Sequence, residues 1–148
     1  MRVAVIGPAD ADEHVLALAR EAGRLLGEAG CMVFTGGLGG VMAAASEGAR
    51  AAGALTVGVL PGADAADANE YVAVPIATGM GEARNLVLIR SVEAVIAIGR
   101  GYGTLSEIAF ALRLGKRLAL LESWNEIASQ ALVASSPRDA VRAALASD

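Results

Sequence analysis

The chain has 148 residues, 55% of them hydrophobic and 3% aromatic, with a formal net charge of −4 and one cysteine. That length fits one domain over 1–148, with a core built mainly from Ala, Val, Leu and Ile. The charge, without a basic run or aromatic cluster, argues against nucleic acid as a partner, and no apolar stretch approaches the ~20 residues of a membrane span.

The first apolar run, Val3–Ile6, is too short for an export signal and reads as a strand. Residues 10–29 follow with helical spacing in Val15, Leu16, Leu18, Ala19, Ala22, Leu25 and Leu26, and Gly30 closes them. The only histidine, His14, reads as a surface or half-buried helix residue. Cys31 opens the second strand, Met32–Phe34, as a buried strand-edge thiol. With no disulfide partner and no export signal, the chain is expected in the cytoplasm. No Cys/His cluster exists, so no metal site is expected.

Thr35-Gly36-Gly37-Leu38-Gly39-Gly40 then breaks the pattern. A helix over Val41–Ala52 follows, then a strand over Leu55–Leu60 and a loop over 61–70. Tyr71–Pro75 reads as a short strand, Glu82–Val92 as a helix, Ala94–Ile98 as a buried strand and Thr104–Leu114 as a helix. Leu118–Leu121 is the next strand. Residues 122–135 combine a turn, a helical piece and a short strand at Ala131–Ala134. Ser136-Pro137 caps a last helix ending near Ala146. Strands alternating with helices predict an α/β, Rossmann-like, doubly wound and mostly parallel sheet with helices on both faces. Ligands bind such sheets beyond the strands' carboxyl ends. Glycine-bearing loops after Ile6, Phe34 and Ile98 are all predicted there.

The sharpest signal is Gly99-Arg100-Gly101-Tyr102-Gly103-Thr104-Leu105-Ser106-Glu107. A buried strand, a glycine turn and a helix start make an anion site, because glycine lets backbone approach a ligand and a helix N-terminus offers free N–H groups. Glu107 is placed in the first helical turn, where it either complements the helix dipole or serves a ligand's sugar. Gly36, Gly37 and Gly39 form a second strand–glycine–helix junction, without the Gly-Lys-Ser/Thr ending of a phosphate-binding ATPase loop and without dinucleotide spacing. Arg84 and Arg90 are candidate phosphate clamps, with a local pair to Glu93 as the alternative for Arg90.

Gly36-Gly37-Leu38-Gly39-Gly40-Val41-Met42, the Arg84 helix and Gly101–Glu107 together resemble the "lonely guy" (LOG) superfamily over roughly residues 1–122. The Val5-Ile6-Gly7 start, the Leu60-Pro61-Gly62 turn and Thr78-Gly79-Met80-Gly81 place the likeness nearest a small bacterial branch. LOG enzymes are phosphoribohydrolases that cleave cytokinin riboside monophosphates or AMP, long mislabelled lysine decarboxylases; other members are thought to sense nucleotides without cleaving them. The family pattern, an arginine on a helix and then Pro-Gly-Gly-x-Gly-Thr-x-x-Glu, is matched by Arg84, Gly101, Gly103, Thr104 and Glu107. Arg90 matches a second recurrent arginine.

The resemblance implies Arg84 and Glu107 as catalytic residues, with Gly36, Gly37, Gly39, Arg90, Arg100, Gly101, Tyr102, Gly103 and Thr104 binding phosphate or nucleotide. A purine nucleoside 5′-monophosphate would then be hydrolysed to base and ribose 5-phosphate without a cofactor. The alternative is a non-catalytic nucleotide or phosphorylated-ligand sensor or carrier. Three departures stand out. Gly99-Arg100 replaces the family Pro-Gly, Asn85 replaces a lysine, and Gly7-Pro8-Ala9-Asp10 replaces a serine-rich loop. Arg100 is expected to clamp the phosphate or to obstruct it. Lys116, the only lysine, falls at the wrong end of the sheet for pyridoxal phosphate chemistry. The apolar surplus, like the resemblance, implies a homodimer or larger homo-oligomer.

Overall fold

A computed structural model describes residues 1–127 and 129–147. Its strands are β1 (Arg2–Ile6), β2 (Met32–Thr35), β3 (Thr56–Leu60), β4 (Val74–Ala77), β5 (Ala94–Ile98), β6 (Arg117–Leu121) and β7 (Leu132–Val133). They form one sheet in the order β4-β3-β2-β1-β5-β6-β7, and every pairing is parallel. The helices are α1 (Glu13–Glu28), α2 (Val41–Ala51), α3 (Arg84–Arg90), α4 (Tyr102–Arg113) and α5 (Pro137–Leu145). This is the doubly wound, Rossmann-like α/β fold that the alternation predicts.

Side chains along each strand alternate between two apolar cores, as the pleat requires. Val3, Val5, Ile96 and Ile98 pack with α1, α2 and α5. Ala4, Ile6, Val95 and Ala97 pack with α3 and α4. Burial on both faces is why the central strands read as unbroken apolar runs. The chain winds outward from β1 to β4, then returns to β1's other side as β5, with Ile6 opposite Ala97. The carboxyl ends of β1 and β5 therefore flank the point where winding reverses, which opens a crevice.

Helix α1 starts at Glu13, later than residue 10, because Asp12 caps it by accepting the Val15 N–H at 3.0 Å. It crosses α2 at backbone contact: a Cβ on Gly48 would lie 1.9 Å from the Arg20 carbonyl oxygen, and one on Gly23 2.0 Å from that of Ala45. Strand β4 is shifted beyond the expected Tyr71–Pro75. Thr56 donates from its hydroxyl to the Tyr71 carbonyl at 2.6 Å and accepts the Ala73 N–H at 2.9 Å, holding 71–73 in a turn. Pro75 then lies within β4, a place an edge strand permits.

The helix expected from Glu82 opens instead as a 3₁₀ turn, Gly81–Ala83, before α3. The Ser91 hydroxyl donates to the Val87 carbonyl at 2.7 Å where α3 ends. The region 122–135 holds a 3₁₀ turn at Asn125–Ile127 and the short β7; Ala128 lies outside the described residues. No described helix is long and apolar enough to cross a membrane.

Gly48→Ala should lower the unfolding free energy by about 1–3 kcal/mol, read as a lower chemical-denaturation midpoint, because the new methyl meets a backbone carbonyl that cannot rotate away. An unchanged midpoint would show that the α1–α2 contact is loose.

Candidate functional site

The loops after β1, β2 and β5 meet at the winding reversal. Val41 donates its N–H to the Pro8 carbonyl at 3.1 Å, tying the start of α2 to the first loop. Gly40 has φ +63°, and a Cβ there would lie 2.4 Å from the carbonyl oxygens of both Pro8 and Ala9. A Cβ on Gly7 would lie 2.3 Å from the Ile98 carbonyl oxygen. Glycine at both positions is thus a condition of the loops closing on one another.

Between them is a cavity of about 260 Å³. Gly7, Pro8 and Ala9 line it from the first loop, Met42 from α2, Arg84 and Asn85 from α3, and Gly101, Gly103, Thr104 and Glu107 from the start of α4. Gly101 is the N-cap of α4 and supplies no side-chain cap, so the first-turn N–H groups are available to an anion. Gly103, Thr104 and Glu107 share one helix face by their spacing. Thr104 is only 3% exposed, and its hydroxyl is buried without a hydrogen-bond partner. Leaving such a group unmatched costs about 1–3 kcal/mol.

Arg84 is 8% exposed. Its Nε donates to the Val59 carbonyl at 2.9 Å, its Nη2 to Gly36 at 3.4 Å, and its Nη1 to the Asn85 side-chain oxygen. Asn85 in turn donates to the Ser106 hydroxyl at 3.0 Å, and that hydroxyl donates to the Gly103 carbonyl at 2.7 Å. This chain of bonds runs from the end of β3 to the first turn of α4. Burial pushes the Arg84 guanidinium below its ordinary value, against the opposing influence of Glu107 and then Glu82.

Glu107, 7% exposed, makes no hydrogen bond or ion pair among the described residues. Burial pushes its carboxyl up to about 7, and the nearby Arg84 charge offsets only part of that. Because α4 begins at Tyr102, Glu107 falls in the second turn and not in the first as expected. Its place is therefore not explained by the helix dipole, which acts within the first turn.

Residues 1–146 match the model of the SLOG cluster4 family. The chain belongs to the SLOG cluster4 family. An uncharacterized protein of Archaeoglobus fulgidus is 44% identical to this SLOG chain over 122 residues, which are 82% of this chain and 80% of that one. The molybdenum cofactor binding protein of the phototrophic bacterium Rippkaea orientalis superposes with a TM-score of 0.90 at 36% identity, covering 95% of this chain and 93% of that one. The molybdenum cofactor carrier protein of Chlamydomonas reinhardtii gives 0.86 at 35% identity, covering 96% and 94%. These likenesses support the LOG-like superfamily; they do not single out a small bacterial branch.

The SLOG chain brings Arg84, Gly101, Gly103, Thr104 and Glu107 to one cavity and leaves other expected residues outside it. Arg90 is exposed in the last turn of α3, at the opposite end of the sheet, and the local pair with Glu93 is absent because Glu93 bonds Arg2 instead. Arg100 does not line this cavity. Its guanidinium stacks 4.1 Å from the centre of the Trp124 ring and pairs with Glu126, with Nη1 donating at 3.0 Å. Trp124 also donates from Nε1 to the Gly101 carbonyl at 3.1 Å, so residues 123–126 brace the glycine loop from outside.

Gly36, Gly37 and Gly39 do not line the cavity. Gly36 holds Arg84 through its carbonyl, Gly37 donates to the Thr35 hydroxyl at 3.1 Å, and Gly39 is exposed. Tyr102 is 85% exposed beside the Trp124 ring, at 6.2 Å between centroids. Lys116 donates to the Val92 carbonyl at 2.7 Å, at the amino ends of the strands. His14 is exposed and lies 3.0 Å from Glu122, and Cys31 is buried, with its thiol pushed up by burial. Met42 and Asn85 line the cavity without having been candidate site residues, although Met42 ends the second glycine motif and Asn85 stands at a position where the family pattern departs.

Glu107→Gln should change how stability depends on pH. Between 4.5 and about 7 the folded chain keeps a proton that the unfolded chain releases, so stability falls as pH rises and levels off above about 7. Across that window the total loss is on the order of 3 kcal/mol. The variant should unfold at a higher temperature than the wild type at pH 8 and gain less at pH 5. Equal gains at both pH values would mean that Glu107 is already ionised at low pH.

Proposed function

We propose that this chain binds and carries a small phosphorylated ligand, seated on the first turn of α4. The observation that carries the reading is the Thr104 hydroxyl, buried and unpartnered on a residue that lines the same cavity as Arg84. A phosphate oxygen there would accept from the hydroxyl and the free N–H groups, and Arg84 would offset its charge. The solved relatives that bind or carry the molybdenum cofactor support a carrier role and make that small phosphorylated molecule a natural candidate.

Hydrolysis of a purine nucleoside 5′-monophosphate is the second reading. It is favoured by the buried carboxyl of Glu107, whose upward shift to about 7 suits a group that trades protons near neutrality. Incubation with a panel of nucleoside monophosphates separates the two. A carrier returns its ligand intact; accumulation of ribose 5-phosphate, lost in Glu107→Gln, establishes the hydrolase.

Thr104→Val should weaken a phosphorylated ligand about tenfold to a hundredfold in calorimetry, the range of a hydrogen bond to a charged group. The unliganded variant should be as stable as the wild type or more so, since an unmatched hydroxyl is removed. Unchanged affinity would move the phosphate elsewhere.

Self-association belongs to the same proposal. Val74 and Ile76 of the edge strand β4 share a sheet face with the buried Val57 and Val59 yet stay exposed, and a second copy of this chain would cover them. Sedimentation velocity at micromolar concentration should show a species heavier than the 14.9 kDa chain. A clean monomer would remove this part of the reading.

A further inference from the structure

Two groups of α4 line the cavity without a partner. The Thr104 hydroxyl is buried and unbonded, and Glu107 is buried with no hydrogen bond or ion pair among the described residues. They are three residues apart, on one face of the helix, which puts their Cβ atoms about 5–6 Å from each other. Arg84 lines the same cavity but does not pair with Glu107. Its guanidinium bonds to the Val59 carbonyl, the Asn85 side chain and the Gly36 carbonyl.

A carboxyl group in such a place keeps its proton, because the ionised form has lost its water and gained no donor. Nothing else that lines the cavity exchanges a proton near neutrality. The first loop supplies Gly7, Pro8 and Ala9, α2 supplies Met42, and α3 supplies Asn85 beside Arg84, whose guanidinium stays charged. Glu82, exposed in the 3₁₀ turn before α3, acts on Arg84 and lies outside this cavity. Tyr102 is exposed outside it as well, and Arg100 is held by Trp124 and Glu126.

An anion on the first turn of α4 changes the balance at Glu107. Ionised, the carboxylate would stand within a turn of a like charge and would only accept hydrogen bonds. Neutral, it repels nothing and its O–H is a donor for an oxygen of the ligand.

We infer that the seat takes up one proton together with its anion, with Glu107 holding that proton for as long as the ligand is bound. The inference rests on the phosphate reading above and adds to it the regulation of the seat by pH. No covalent bond of the ligand changes: a proton from solvent joins a Glu107 oxygen on capture and returns to solvent on release. Below neutrality the empty site already carries the proton. Above about 7 it must be acquired, and affinity falls as pH rises.

Calorimetry on the full chain with ribose 5-phosphate and with sulfate tests this, since both anions are already fully ionised between pH 7.5 and 9. Wild-type affinity for each should fall roughly tenfold per pH unit across that window. At pH 8.5, binding enthalpies in two buffers of different ionisation enthalpy should report about one proton taken up. Glu107→Gln is neutral at every pH and still carries a donor. It should bind both anions equally well at pH 7.5 and 9, take up no proton, and exceed the wild type about tenfold to a hundredfold at pH 9.

A proton count near zero in the wild type overturns the inference, and this measurement does not depend on how the variant folds. The same fall with pH in Glu107→Gln also overturns it, because the proton would then belong to another group. In either case, binding at pH 7.5 that Thr104→Val weakens leaves the phosphate reading standing. If neither anion binds even at pH 6, the phosphate reading fails and the proton coupling falls with it.

Discussion

A guanidinium taken out of water needs acceptors, and the way Arg84 finds them organises this end of the molecule. Its partners are the carbonyls of Val59 and Gly36 and the side chain of Asn85, drawn from the end of β3, the loop after β2 and its own helix. Satisfying one buried cation therefore fixes three separate pieces of chain relative to one another. The glycines of the second loop contribute to this arrangement by holding the arginine. The cavity is left with a local positive charge, and the acid that acts on it most, Glu107, is itself forced upward by burial.

The alternation of strand and helix was legible because buried parallel strands and amphipathic helices leave different periods in a sequence. Where the reading slipped, tertiary contacts decided. Pro75 read as the end of a strand, but Thr56 holds 71–73 in a turn and moves β4 onward. The site was legible in its glycine motif, in Arg84 and in Glu107. Its arginines were less so: a loop arginine beside an anion site invites a phosphate role, and only the folded chain shows Trp124 and Glu126 claiming Arg100.

The same few groups suit two chemistries that differ mainly in what happens after binding. A helix N-terminus with a free hydroxyl holds phosphate in a carrier and in a hydrolase alike. What separates the two is the carboxylate, since a protonated Glu107 near neutrality either donates a proton to a leaving group or simply sits uncharged beside an anion. Membership of the SLOG cluster4 family and the likeness to proteins that bind or carry the molybdenum cofactor bear on this choice through the ligand, not through the reaction.

The brace from residues 123–126 onto the glycine loop has a consequence for timing. Stacking under Arg100 and the Trp124 bond to Gly101 hold the loop in one shape before any ligand arrives. Little disorder then remains to be lost on capture, so modest contacts suffice for tight association. The converse holds on departure. A loop that is equally ordered full or empty gains no freedom when the ligand leaves, and nothing in its own motion hastens escape. Residence time is then set by the strength of the contacts themselves.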